Sequence, residues 1–444
     1  MTAIKDKVIN AIDFIGKSFY VNQDNVKLEY VSNKQNKSLK TTDVALISVL
    51  TYLSKGKQLI TGTYGAGKTT TAEAIASIFE SLPIEIVSQG LLRCNPQLTE
   101  EKMIGRPDLG KLQKGIEKVI WSYFALSPTS IIDEFNRIPA DKQILLLDAI
   151  DRGNFNYLNE SIKKEGATYS TKNELDGGNT ELLAPIIDRF SVEVEVTTPV
   201  GYLKKINGDK KILSNKDISK KMQTIIEDSN SLEKILELRS EFQSKNKALI
   251  FTSEEKEEIF KEIEDIKVDA SSELFIEYVF NEANFNPACG YKGQPKINTS
   301  QNHFDKYLMN NFGQNLGISV RWRDSIIKYA KSLAWLKGES NVTPQILKAI
   351  LPYTLMHKLK DEINQDRKPL ELNKTSSAKK IAEEIYIRFQ EDMKLLNDFE
   401  QSIKKAYNKK DESIIENWNK SSHPFYEFLK NSAKKEMSDG YDKI

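Results

Sequence analysis

Residues 62–70 read Gly62-Thr63-Tyr64-Gly65-Ala66-Gly67-Lys68-Thr69-Thr70. The first eight follow G-x-x-x-x-G-K-[ST], and every residue type in that pattern suits a triphosphate. Glycines let consecutive backbone N–H groups close around phosphate oxygens. Lys68 offers a point charge to the β and γ phosphates, and the Thr69 hydroxyl is a hard oxygen ligand for Mg²⁺. Further along, Thr129-Ser130-Ile131-Ile132-Asp133-Glu134 is an apolar run ending in two carboxylates. Asp133 would hold Mg²⁺ through its waters, and Glu134 could take a proton from an attacking water. Acidic pairs are common in loops, so this second motif gains meaning only from its context.

These groups can meet only if the elements around them deliver them to one edge. Lys57-Gln58-Leu59-Ile60-Thr61 reads as a short buried strand entering the loop, and 70–79 carries helical periodicity. Strand, loop, helix is the context that confirms a phosphate loop. Strand-like runs at 58–61, 84–88, 130–133, 167–172 and 191–197 alternate with helical ones. The pattern predicts an α/β fold, a parallel five-stranded sheet with helices on both faces. Carboxylates at the C-terminal end of a strand in such a sheet point into the crevice where ligands sit. Ser191-Val192-Glu193-Val194-Glu195-Val196 alternates strictly and predicts a half-exposed edge strand.

Four regions are expected: a lead-in over 1–40, an α/β nucleotide-binding core over 41–198, a helical lid over 199–360 and a helical C-terminal extension over 361–444. The lead-in is mixed and polar, read as a helix and irregular chain, and 43–54 is an apolar helix packed before the first strand. Helical spacing covers 215–245 and 253–283, and a Gly/Pro/Asn-rich stretch at 284–318 reads as a long loop. Helix resumes at Arg321, and Val342-Thr343-Pro344 supplies an N-cap with proline at the first helical position. After a polar connector at 361–375, Ile381, Ile385, Phe389, Met393, Leu396, Phe399, Ile403 and Tyr407 form one stripe of a long amphipathic helix. That stripe packs either on the chain's own lid or on a partner.

Composition excludes several classes. The chain has 444 residues with 64 basic and 63 acidic side chains, so no global charge draws it to nucleic acid or to an anionic membrane. No apolar run is long enough to span a bilayer, and the N-terminus lacks the apolar core of a signal peptide. Cys94 and Cys289 lie far apart and read as free thiols of a reducing cytoplasm. His303, His357 and His423 are scattered, and no His-based metal site is expected.

Asp133-Glu134-Phe135-Asn136-Arg137-Ile138-Pro139, followed by Gln143-Ile144-Leu145-Leu146-Leu147-Asp148-Ala149-Ile150, resembles the MoxR-type branch of the AAA+ ATPases. That branch reads D-E-[IF]-N-R-x-P and then Q-x-x-L-L-x-A, and the resemblance covers about 43–360. It implies an ATP hydrolase that uses Mg²⁺ and works as a ring, expected to be a hexamer. It also implies a partner with a von Willebrand factor A domain and a client protein complex to remodel; the client itself is not legible.

The resemblance extends to further positions. Thr168-Tyr169-Ser170-Thr171-Lys172-Asn173 is similar to the family's sensor-1 strand, which assigns Asn173 to orient the lytic water; Glu174 stands where the family has proline. Ile187-Asp188-Arg189-Phe190 resembles L-D-R-F, whose arginine reaches the nucleotide of the neighbouring subunit. The alternative for Arg189 is an ion pair with Asp188 or another acid. Gly317-Ile318-Ser319-Val320-Arg321 resembles the sensor-2 motif G-A-S-P-R without its proline, which makes Arg321 a nucleotide contact, with Arg323 a competing choice. The segments 104–121 and 154–161 lie where this clade inserts hairpins, and Phe155 and Tyr157 are candidates for client contact or for core. Two rival readings are a nucleic-acid motor and a nucleotide-gated scaffold with little turnover. Lys111, Lys114 and Lys118 begin a basic stripe for the motor, but Glu117 breaks it. Intact Glu134, Asn173 and Arg189 argue against the scaffold.

Overall fold

The computed structural model describes residues 2–19, 25–32, 34–173, 180–196, 212–228, 232–284, 318–358, 374–409, 411–420, 430–431, 433–434 and 437. The stretch 285–317, Cys289, His303, His423, Glu174, Gly317 and the connector at 361–373 lie outside them. Helix α1 (Thr2–Phe19) buries Val8, Ala11, Ile12 and Ile15, the i, i+3, i+4, i+7 face of its sequence. The expected irregular lead-in is instead an antiparallel hairpin, β1 (Asn25–Ser32) with β2 (Gln35–Thr42). Strand β2 reads QNKSLKTT and exposes most of its length, so no apolar alternation marks it in the sequence. Thr42 ends the hairpin and caps α2 (Asp43–Leu53), its hydroxyl accepting from Ala45 N at 3.3 Å. Every residue of α2 is buried.

Strand β3 (Lys57–Gly62) follows, then α3 (Lys68–Glu80). The run at 84–88 is not a strand. It forms helix α4 (Ile84–Gln89), and the strand at this place is β4 (Leu91–Arg93). Ile84 and Val87 are the buried residues of α4, a one-turn spacing that alternation over so few residues cannot distinguish from a strand. Hairpin β5 (Gly105–Pro107) with β6 (Val119–Trp121) precedes β7 (Ser130–Asp133). Hairpin β8 (Asn154–Tyr157) with β9 (Glu160–Lys163) precedes β10 (Thr168–Lys172) and β11 (Val192–Val196).

Strands β11-β3-β10-β7-β4 form one parallel sheet in that order. The first strand of this sheet in sequence, β3, lies inside it with β10 and β11 on either side, which sets the loop that follows it at the C-terminal edge between neighbours. Strand β11 is an edge as expected, but it is not half exposed. Four of its five residues are buried, and Glu193 accepts from the Thr61 hydroxyl at 3.0 Å. Phe155 is core, 1% exposed and edge-on to Phe124 at 5.7 Å, and Tyr157 packs against the same cluster.

The described chain divides into two compact units: Met1–Val268 with Asp324–Val342 and Tyr353–His357, and Asp269–Arg323 with Thr343–Pro352 and Lys358–Ile444. The first holds the sheet together with helices Lys216–Asp228, Leu232–Lys245 and Ser253–Glu264. Buried Glu80 ties these to the core, accepting from Tyr52 at 2.8 Å, Thr129 at 3.0 Å and Lys256 at 2.9 Å. In the second unit, the long helix Lys374–Lys409 carries the predicted stripe. Phe389 packs on Phe275 of helix Ala270–Asn284 at 4.8 Å, and Phe399 packs on Trp418 at 4.8 Å, so the stripe is covered by the chain's own residues. Among the described residues no helix is long and apolar enough to cross a membrane.

Candidate functional site

Gly62 closes β3 at φ +134°, where an added Cβ would stand 1.9 Å from Val196 O on the adjacent strand. Only glycine fits there. Gly67 is the N-cap of α3 at φ +82°, and Gly65 turns at φ +72° with open space where a side chain would go. The loop therefore presents backbone rather than side chains to its outer side, at the positive end of α3. Lys68 is 6% exposed, and its ammonium donates to Gly62 O and Thr63 O, both at 2.7 Å. Tyr64 stands half exposed on the loop.

Thr69, in the first turn of α3, donates to Asp133 Oδ1 at 2.5 Å. Asp133 ends β7, and a second hydroxyl, that of Thr171 on β10, donates to the same Oδ1 at 2.8 Å. Thr171 Oγ1 accepts in turn from Glu134 N at 2.8 Å. Glu134 follows in the left-handed region at φ +55°, which turns its side chain out of the strand direction. Its Oε1 accepts from Asn173 Nδ2 at 2.9 Å, and its Oε2 lies 3.1 Å from Arg137 Nε. Asn173 is 3% exposed at the end of β10. Its backbone is pinned by buried Asn136, which donates to Asn173 O at 3.1 Å and accepts from Asn173 N at 3.4 Å. Behind Asp133, the buried Cys94 thiol is pushed up by desolvation and by the charges of Asp133 and Glu134, which keeps it protonated.

Lys68, Thr69, Asp133, Glu134 and Asn173 thus share the C-terminal edge of β3, β7 and β10. Arg189 does not join them. It precedes β11, at the opposite end of the sheet, where Nη1 donates to Pro185 O at 2.6 Å and Nε lies 3.4 Å from Asp151 Oδ2. The expected ion-pair alternative is present, with Asp151 as the acid. Arg321 is exposed in the first turn of helix Val320–Lys337, and Arg323 pairs with Glu277 at 2.7 Å.

The donor set fits Mg²⁺: a hydroxyl and a carboxylate, hard oxygens already drawn to one point. The buried ammonium of Lys68, satisfied by carbonyls of the loop it would share with phosphates, fits a triphosphate.

Residues 314–381 match the AAA lid domain family. A crystal structure of a candidate ATPase from Cytophaga hutchinsonii is similar at 17% identity, covering 86% of this chain and 94% of that one with a TM-score of 0.51. The chain has the AAA+ ATPase fold. No curated protein matches the sequence.

Three residues of this AAA+ core were not singled out for a role from sequence. Thr171 and Asn136 stand inside quoted motifs, but their use depends on β10 lying against β7, which no local signal states. Arg137 is three residues from Glu134 in sequence, and only the short 3₁₀ turn Phe135–Arg137 folds it back onto the carboxylate.

Proposed function

We propose that this chain is a MoxR-type AAA+ ATPase that hydrolyses ATP at subunit interfaces of a ring and uses the energy to remodel or assemble a client complex. The observation that carries the reading is the hydrogen-bonded chain Thr69–Asp133–Thr171–Glu134–Asn173, which joins both sequence motifs at one strand edge. Thr69 and Asp133 would hold Mg²⁺, which supplies charge neutralisation to the phosphates. Lys68 and the backbone of 62–69 grip the phosphates, with Thr70 and Tyr64 flanking them. Asn173 orients the attacking water and Glu134 accepts its proton.

Arg189 is assigned to the nucleotide of the neighbouring subunit. Its place at the far end of β11 from its own loop supports that assignment, since it is separated from its own phosphates by the length of the strand. A guanidinium suits charge spread over the γ-phosphate oxygens. Arg321 keeps its nucleotide contact on the resemblance alone, as do the hexamer, the von Willebrand factor A domain partner and the client.

The test is Mg²⁺-dependent ATP hydrolysis per subunit across a dilution series. Specific activity that rises steeply with concentration, and loses that rise in Arg189→Ala while nucleotide binding persists, supports a site shared between subunits. Flat activity down to the monomer removes the ring.

A further inference from the structure

A cavity of about 360 Å³ opens at the N-terminal ends of β3, β7 and β10, where Lys57, Ser130 and Thr168 begin their strands. The nucleotide site proposed above lies at the other end of the same strands, and the six residues of β3, roughly 20 Å at 3.3 Å each, separate the two. Six cations line this cavity, Lys55, Lys57, Arg152, Lys163, Lys164 and Lys328, against two carboxylates, Asp151 and Glu165. Glu165 lies 3.5 Å from Lys163, and Asp151 lies 3.6 Å from Lys57. Of the remaining four cations, Arg152 lies 4.0 Å from Asp148, outside the wall, and the wall itself offers no third carboxylate. Lys55 rests over the Phe260 ring at 4.7 Å, and Lys164 donates only to carbonyls, Phe124 O at 2.7 Å and Ser127 O at 3.0 Å.

These cations come from chain segments far apart in sequence, so the fold itself brings like charges together in a partly enclosed space. Such an arrangement repels unless an anion joins it. The lining's remaining excess of positive charge matches a polyanion better than one carboxylate, and lysine ammonium groups bind phosphate as point charges. Burial holds Lys164 down to about 7, and a bound anion would keep it protonated.

We propose that this cavity binds a phosphate-class polyanion, either free in solution or carried by the nucleotide of an adjacent subunit. The second source rests on the ring reading, because Asp151 on the cavity wall also lies 3.4 Å from Arg189.

The test has two arms and one control. Lys163 and Lys328 are both exposed, and Lys163→Gln/Lys328→Gln removes their charge without touching the core. The control, Lys114→Gln/Lys118→Gln, removes the same charge from the exposed β5–β6 hairpin. In the first arm, inorganic pyrophosphate is titrated calorimetrically into Lys68→Ala protein at constant ionic strength. The cavity substitutions should weaken binding by about tenfold or more, and the control should not. In the second arm, the Lys68 protein is sedimented with Mg²⁺ and a non-hydrolysable ATP analogue, and assembly should need about tenfold more cavity-variant protein. A response in the first arm identifies a free anion, and a response in the second alone identifies the adjacent nucleotide. If neither arm separates the cavity pair from the control pair, the proposal is overturned. A response in the first arm with no assembly in the second keeps the cavity site and removes the ring.

Discussion

At the scale of single residues, one hydroxyl holds the proposed chemistry in register. Thr171 donates to Asp133 and accepts from Glu134 N, so it fixes the metal-side carboxylate and the base at once. Thr171→Val keeps the shape and leaves a half-buried N–H without its acceptor, which costs on the order of 1 kcal/mol or more. We expect kcat to fall by roughly 10- to 100-fold with nucleotide affinity little changed, as read by steady-state hydrolysis and fluorescent-nucleotide binding. Glu134→Gln should lower turnover by about 10²–10⁴-fold while ATP still binds; unchanged turnover would remove Glu134 as the base. Lys164 allows a pH test. Its folded pKa, about 7, lies below its ordinary value of 10.5. Between these values the unfolded chain binds a proton that the folded chain releases, so this group makes stability rise with pH across that window. Below the window the burial penalty is constant and complete. In urea unfolding, the stability difference between the native chain and Lys164→Met should move in favour of the native chain from pH 7 toward pH 10. A difference flat with pH would sink the assignment.

At the scale of elements, the inserted hairpins belong to the core as much as to the surface. Phe155 and Phe124 join β8 to the packing beneath β7, and the Lys164 ammonium lies 4.7 Å from both rings. Phe155→Ala should destabilise the first unit by about 3–5 kcal/mol, measured as a shift in the urea midpoint at unchanged slope. Gly62→Ala drives a Cβ against Val196 O, so β3 and β11 must part; a folded protein with full nucleotide affinity would contradict that geometry. Strands β3 and β7 were legible from the apolar pairs Leu59-Ile60 and Ile131-Ile132 that run into the two motifs, and β10 from its β-branched and aromatic residues Thr168, Tyr169 and Thr171. Helix α4 and strand β2 were not: six residues with apolar positions at 84, 86 and 87 satisfy either period, and a polar strand on an exposed hairpin carries no period at all.

At the scale of the whole molecule, activity is expected to depend on assembly. Arg189 rests against Asp151, so in the proposed ring a neighbour's nucleotide would have to draw it away. Asp151→Asn removes that competing charge and should shift the rise of activity with concentration to lower protein concentration. The shift should vanish in the Arg189→Ala background, whereas a general loosening of the fold would persist there.

The sequence by itself carries the chemistry proposed for the 62–69 loop and the acidic strand end, because both are short patterns whose residue types act through their own backbone and side chains. It also determined a parallel sheet and four of its five strands, since buried strands alternating with helices have few other solutions, while the fifth strand lies at 91–93 rather than 84–88. Only the tertiary structure decided that Thr171 and Asn136 align the site, that β11 is covered on both faces, that Arg189 stands at the opposite end of the sheet from Lys68, and that six cations meet around one cavity. Each of these is a relation between residues distant in the chain, and local periodicity carries no information about which strand lies beside which.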